Sequence, residues 1–398
     1  MNSLLEKEGE AFSVHRLVQA VTRERLGEEA CAVWAEIALR LVESAFLFDE
    51  DDESTWPSCA RLLPHALTTI DYGEAWRVAA EETGRPLDHI GGYFQVSVQF
   101  STAHTVHLAE LCKRALAIAG VTYSTSPPTA TARINNVLGL VLWNLQKFSD
   151  AHEVLERALA MDETTYGPSH PTVARDLNNL GLILRDLGEV AGARTTLEQA
   201  LAIDEAAYGP NHPTVARDLE NLGVVLQDLE EFEGAREVLE RALAIDEATY
   251  GPKHPKIARD LNNLGLVLRD LREVADARTA LERALVIHEA IYGLSHPNVA
   301  FCLRNLGLTL WDLGALTEAR ATLERAVQIP TESLGVEHPS TQTTQDYLDA
   351  LMREGMQCPQ EGTTAGTWHK AHVCTLVWLP GIIQRTIAVL SPIYKSRL

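Results

Sequence analysis

One passage of the sequence is written again and again at a fixed interval. His-Pro pairs stand at His170, His212, His254, His296 and His338, each 42 residues from the next. Glycines keep the same interval at Gly139, Gly181, Gly223, Gly265 and Gly307, and alanines at Ala158, Ala200, Ala242, Ala284 and Ala326. Between residues 170–211 and 212–253, 30 of 42 positions are identical. A unit this short cannot bury its apolar face alone, so copies of it must stack on one another. The 398 residues are therefore read as a stacked array in place of the two or three ordinary domains their number suggests.

Each unit reads as two helices. Pro171 suits the first helical turn, where its missing N–H is not needed, and it pushes His170 toward an extended conformation. Leu177, Leu180, Leu184 and Leu187 then fall along one face of the first helix, with Gly181 letting a neighbour approach closely. A break near Gly188 leads to a second helix with Ala193, Leu197, Ala200 and Leu201 inward. Tyr208-Gly209-Pro210 ends the unit. The expected fold class is all-α, a right-handed superhelical solenoid of helix-turn-helix repeats.

The net charge of -21 and pI near 5.1 argue against a general nucleic-acid or anionic-membrane binder. A hydrophobic content of 46% supports a packed core. The opening residues MNSLLEKEGEAF hold no apolar stretch of signal-peptide length. The apolar run Val373–Gln384 contains Pro380 and is too short to span a bilayer as a helix. Cys31, Cys59, Cys112, Cys302, Cys358 and Cys374 lack paired spacing and read as reduced thiols of a cytoplasmic protein.

Leu180-Gly181, followed by Ala193, Leu197 and Ala200 at offsets of twelve, sixteen and nineteen from the glycine, resembles the small-residue code of the tetratricopeptide repeat. The 42-residue period and the NNL segment resemble the repeats of kinesin light chains and of many bacterial signalling proteins. The resemblance is strong over roughly 130–350. Upstream, Ile90–Gln95 and Lys113–Ala119 resemble a degenerate repeat, and downstream Ser333–Met352 resembles a final half-repeat. Phe12–Leu26 and Ser54–Leu67 resemble the stretch that joins the ATPase to the repeats in bacterial NB-ARC/STAND signalling proteins. The expected organisation is a helical linker over 1–86, a degenerate repeat over 87–130, a capped array over 131–356, and a tail over 357–398 of unassigned structure. No GxxxxGK[ST] occurs, and without its lysine and amide cradle a phosphate-binding loop of that type is missing. The chain reads as the sensor end of such a protein, separated from its ATPase.

Catalytic and metal chemistry find little to stand on. Equivalent histidines of stacked helices lie about 8–10 Å apart, too far to share one zinc ion. Cys358, His369, His372 and Cys374 lack a CxxC pair and match no familiar zinc module. No nucleophile–base arrangement stands out, so no enzyme activity, catalytic residue, metal or cofactor is expected.

A surface is the better candidate. On the first helices, positions at 3-4-3 spacing share a face set apart from the leucine stripe, and the tetratricopeptide resemblance implies that they line a concave peptide-binding groove. The columns are Arg133, Arg175, Arg217, Arg259 and Phe301; Asn136, Asn178, Glu220, Asn262 and Arg304; Leu140, Leu182, Val224, Leu266 and Leu308; and Trp143, Arg185, Gln227, Arg269 and Trp311. Arginine can hold carboxylates bidentately and asparagine can pair with a peptide amide, while the aliphatic and tryptophan positions supply apolar anchors. The opposing reading is an internal lattice, in which Asp162, Asp204 and Asp246 neutralise the arginines. The expected function is non-catalytic binding of an acidic, apolar-anchored peptide or protein segment, with neither nucleic acid nor membrane as partner, for sensing or recruitment in a bacterial signalling system. The alternatives are a scaffold that assembles with itself or docks a separate ATPase chain, and a truncated piece of a STAND ATPase.

Overall fold

A computed structural model describes residues 5–8, 11–14, 28–46, 55–75, 109–110, 112–113, 128–334 and 339–357. The chain divides into two compact units, Met1–Gln345 and Asp346–Leu398. In the first unit a two-stranded antiparallel hairpin, β1 (Leu5–Glu8) and β2 (Ala11–Val14), sets Leu5 opposite Val14 and Glu8 opposite Ala11. Two helices follow, α1 (Glu28–Ala45) and α2 (Trp56–Ala75), packed on each other. The helical linker expected over 1–86 is corrected at 5–14, where the short extended segments pair. The degenerate repeat expected over 87–130 and the tail beyond Gln357 lie, for the most part, outside the described residues.

The array itself is a succession of helix pairs: α3 (Pro128–Asn144) with α4 (Phe148–Tyr166), α5 (Pro171–Asp186) with α6 (Val190–Tyr208), and α7 (Pro213–Asp228) with α8 (Phe232–Tyr250). α9 (Pro255–Asp270) with α10 (Val274–Tyr292), and α11 (Pro297–Asp312) with α12 (Leu316–Leu334), continue it, and α13 (Pro339–Gln357) comes last among the described helices. The second helices α4, α6, α8 and α10 each also pack on the first helix of the next unit. This is the all-α solenoid that the 42-residue period demands.

The loops before α5, α7, α9 and α11 are built by the same residues. His170 is extended (φ -87°, ψ 143°) and its Nδ1 accepts the Thr172 N–H at 3.1 Å, capping a helix whose first residue is Pro171. The ring of Tyr166 stacks on His170 with centroids 4.5 Å apart, and the pairs Tyr208–His212, Tyr250–His254 and Tyr292–His296 repeat the contact. The YGPxHP signature is thus a cap and a ring stack that fix where each first helix starts.

Within a pair, glycine faces leucine. Leu197 is fully buried, and a Cβ on Gly181 would stand 2.7 Å from its Cγ; Gly223 and Leu239, Gly265 and Leu281, and Gly307 and Leu323 meet the same way. Leu177, Leu180 and Leu184 are buried as expected, with Leu187 and Leu201 half-buried.

The turn between the two helices of a unit needs one residue in the left-handed region. Gly188 (φ 85°) and Gly314 (φ 76°) supply it easily, whereas Gln146 (φ 58°), Glu230 (φ 62°) and Arg272 (φ 67°) occupy it with a Cβ. Placing a non-glycine side chain there costs about 1–2 kcal/mol, offset partly by the smaller unfolded-state entropy of a non-glycine residue. Arg272→Gly is therefore expected to raise stability by about 0.5–1 kcal/mol, read as a higher urea midpoint.

Candidate functional site

The face expected to form a groove is carried by α3, α5, α7, α9 and α11, and the structure divides its residues into two sets. Asn136, Asn178, Glu220 and Asn262 are buried, which corrects their expected place on an open face. Their side chains lie in the seams between successive units. Asn136 donates to Asp176 Oδ1 at 2.5 Å and accepts from Asn179 Nδ2 at 3.1 Å. Asn178 accepts from Asn221 Nδ2 at 3.0 Å, and Asn262 from Asn305 Nδ2 at 2.9 Å. Leu182 is buried as well, and Leu266 is half-buried. First helices of successive units touch one another, so the innermost positions become contact surface.

The arginine column keeps an open side. Arg175 lies 3.0 Å from Asp176 and 3.7 Å from Asp162, and Arg217 repeats this with Asp218 at 3.1 Å and Asp204 at 3.7 Å. Arg259 instead meets Glu220 at 2.6 Å. The side chains of Arg175, Arg217 and Arg259 nonetheless remain 38%, 29% and 48% exposed. Arg133 is exposed at one end of the column. At the other end Phe301 is exposed, and the Arg304 guanidinium lies 4.6 Å from its ring centre.

The fourth column is latched from one unit to the next. Trp143 Nε1 donates to Asp186 at 2.6 Å and Gln227 Nε2 to Asp270 at 2.6 Å. Arg185 lies 2.7 Å from Asp186 and 3.9 Å from Asp228, and Arg269 lies 3.9 Å from Asp270 and 3.8 Å from Asp312. Trp311 is half-buried.

The seam carboxylates are held in an unusual state. Asp162 and Asp218 are both pushed up to about 7, first by burial and also by the neighbouring seam carboxylates Asp176 and Asp204, against the lowering pull of Arg175 and Arg217. Burial likewise raises Asp204. Two acids facing each other away from water favour sharing a proton over carrying two charges. In the fourth seam the equivalents are His288 and Cys302. Burial lowers His288 to about 4 and raises the Cys302 thiol to about 12, with its S–H directed to Leu281 O at 3.4 Å.

Sequence reading placed Asp162 and Asp204 near the arginines, but it missed that Asp176 and Asp218 share the seams. The 42-residue step from 162 to 204 and from 176 to 218 signals both sets equally, and burial separates them from ordinary charged positions. It also missed a row along the second helices, where Arg194 meets Glu231 at 2.7 Å and Arg236 meets Glu273 at 3.0 Å. Such exposed pairs contribute about 0–1 kcal/mol each.

The tetratricopeptide-repeat family model matches residues 129–206, 173–248, 216–285 and 261–332, about half of the chain. The chain belongs to the tetratricopeptide-repeat family. Among solved structures, it is similar to the kinesin light chain nearly identical TPR-like repeats of Podosopora anserina, at 23% identity, covering 53% of this chain and 99% of that one with a TM-score of 0.46. It is also similar to BtubC (BKLC) from P. vanneervenii, at 21% identity over 66% of this chain and 95% of that one, TM-score 0.48. The apo form of RapI matches over 74% of this chain and 97% of that one at 14% identity, with a TM-score of 0.53, which is a likeness of fold. No curated protein sequence matches the chain. Tetratricopeptide arrays are protein-interaction or scaffold modules whose stacked units create extended binding surfaces. Among the described residues no helix is long and apolar enough to cross a membrane.

Proposed function

We propose that the array is a non-catalytic binding module that takes an extended, acidic peptide or protein segment along the arginine column of its first helices. The observation that carries this reading is the partial exposure of Arg175, Arg217 and Arg259 while buried carboxylates hold them from behind. A guanidinium fixed in this way loses little rotamer freedom on meeting a second carboxylate, and preorganisation of that kind favours affinity. Phe301 beside Arg304 offers an apolar anchor at one end, and Arg133 extends the positive face at the other. Asn136, Asn178, Glu220 and Asn262 serve the seams and are left out of the ligand contacts. The resemblance of Phe12–Leu26 to the linkers of STAND proteins supports sensing or recruitment within a bacterial signalling system, in the cytoplasm.

The test compares partner capture from source-cell lysate by wild type and by Arg133→Ser/Phe301→Ser. Both residues are exposed, so circular dichroism is expected to show unchanged helicity. Loss of two anchors of this kind weakens binding by about tenfold or more. A partner retained equally by the folded variant moves the site off this face.

A further inference from the structure

The third seam departs from the first two by one residue. Where Asn136 and Asn178 stand in the first and second seams, Glu220 stands in the third, beside Asp246 and Asp260. The three carboxylates come from three helices, α7, α8 and α9, all three side chains are buried, and one ligand oxygen from each lies within 4.8 Å of the others. The amide donor that Asn136 gives to Asp176 in the first seam has no counterpart in a glutamate. Asp260 has no exposed surface, and neither of its carboxylate oxygens accepts a hydrogen bond from a donor among the described residues. Glu220 turns Oε2 to the Arg259 guanidinium at 2.6 Å, which leaves Oε1 buried and without a donor on the side of the cluster.

One guanidinium cannot balance three carboxylates. The deficit can be met by protons or by a cation, and the donor set is all oxygen, which suits a hard divalent ion of the calcium or magnesium class. Ligand oxygens around calcium at about 2.3–2.6 Å from the ion are separated by distances like those within this cluster. We propose that Glu220, Asp246 and Asp260 bind a divalent cation of this class, which ties the second helix pair after α4 to the third. The first and second seams, with asparagine in place of Glu220, are not such sites.

The experiment uses the full chain freed of metal by EDTA and dialysis, with calcium and magnesium titrated separately by calorimetry and thermal unfolding followed in parallel. The expected result is a single saturable site for one of the two ions, an unfolding midpoint that rises with its concentration, and proton release on binding. Glu220→Asn restores the residue found in the other seams, and it is expected to fold at least as well without metal while weakening binding more than about tenfold. If that variant does not fold, Glu220→Gln, of the same shape, takes its place. Absence of binding by wild type for both ions overturns the proposal and leaves protons as the neutralising species. Equal binding by wild type and the folded variant overturns it too, because the ion then sits elsewhere.

Discussion

Gly223→Ala is expected to weaken the wild-type array and to strengthen an array in which Leu239 has already been cut back to alanine. In wild type the new Cβ would stand 2.6 Å from Leu239 Cγ, and Leu239 is almost fully buried, so its side chain cannot swing away into solvent. Overpacking of this kind costs about 1–3 kcal/mol, more than the roughly 1 kcal/mol that alanine gains over glycine in a helix interior. Leu239→Ala alone removes a buried leucine and is expected to cost about 2–5 kcal/mol. In that background the obstruction is gone, so Gly223→Ala brings its helix propensity and fills part of the cavity. Chemical denaturation of the four proteins reads the sign change directly. Two substitutions whose effects simply add would contradict the glycine-to-leucine fit as the contact that holds each pair together.

The second large effect is on pH. Asp162 and Asp218 have folded-state values of about 7, above the 3.8 of an ordinary aspartate, because burial disfavours their charge. The folded chain therefore binds more protons than the unfolded chain between those values. Stability from these groups is complete below about 4 and is lost as pH rises through about 7. Asp260, pushed up to about 11 by burial and by Glu220, extends the loss to higher pH. His288 acts in the opposite sense: lowered by burial to about 4, it contributes stability above its unfolded value of 6.5 and loses it as pH falls toward 4. The two kinds of group oppose each other between about 4 and 6.5, and above 6.5 the aspartates act alone. The unfolding free energy is expected to stop falling on account of Asp162 and Asp218 once pH passes about 7, and to go on falling toward about pH 9 by at most about 1.4 kcal/mol per pH unit through the proton held by Asp260. Asp218→Asn removes one proton held between about 4 and 7, so its curve is expected to be flatter than wild type in that range and parallel to it above. A wild-type stability that is level or rising between about pH 7 and 9 would show that Asp260 is ionised in the folded chain, and an unchanged slope for Asp218→Asn between about 4 and 7 would show the same of Asp218.

Much of the fold is legible in the repeat. The His-Pro step announces the start of each first helix, and the structure supplies the reason in the Nδ1 cap of His170 and its stack on Tyr166. Gly181 and its equivalents mark close approach, and Leu197 is what approaches. The site was less legible. Asn178 and Arg175 sit three residues apart on one helix and look alike on a helical wheel, yet one is buried in a seam and the other half exposed. Which of two adjacent columns is covered depends on how closely successive first helices pack, a distance that residue spacing within one helix does not contain. The acidic cluster at Glu220 was hidden for a related reason: its three members lie 26 and 14 residues apart along the chain and meet only through stacking. Positions 5–14 carry no repeat, and there the helical expectation gave way to a hairpin.

Presentation of an arginine-edged face to a protein segment is the proposed function of the copied units. Its most direct measurement is selection of a random peptide library on immobilised wild type, followed by photo-crosslinking and affinity measurement of the enriched peptides. Acidic peptides with an apolar residue are expected, crosslinked to α3, α5, α7, α9 and α11, and bound about tenfold or more weakly by Arg133→Ser/Phe301→Ser. Enriched peptides that crosslink to the second helices, or that bind the folded variant as tightly as wild type, would contradict it.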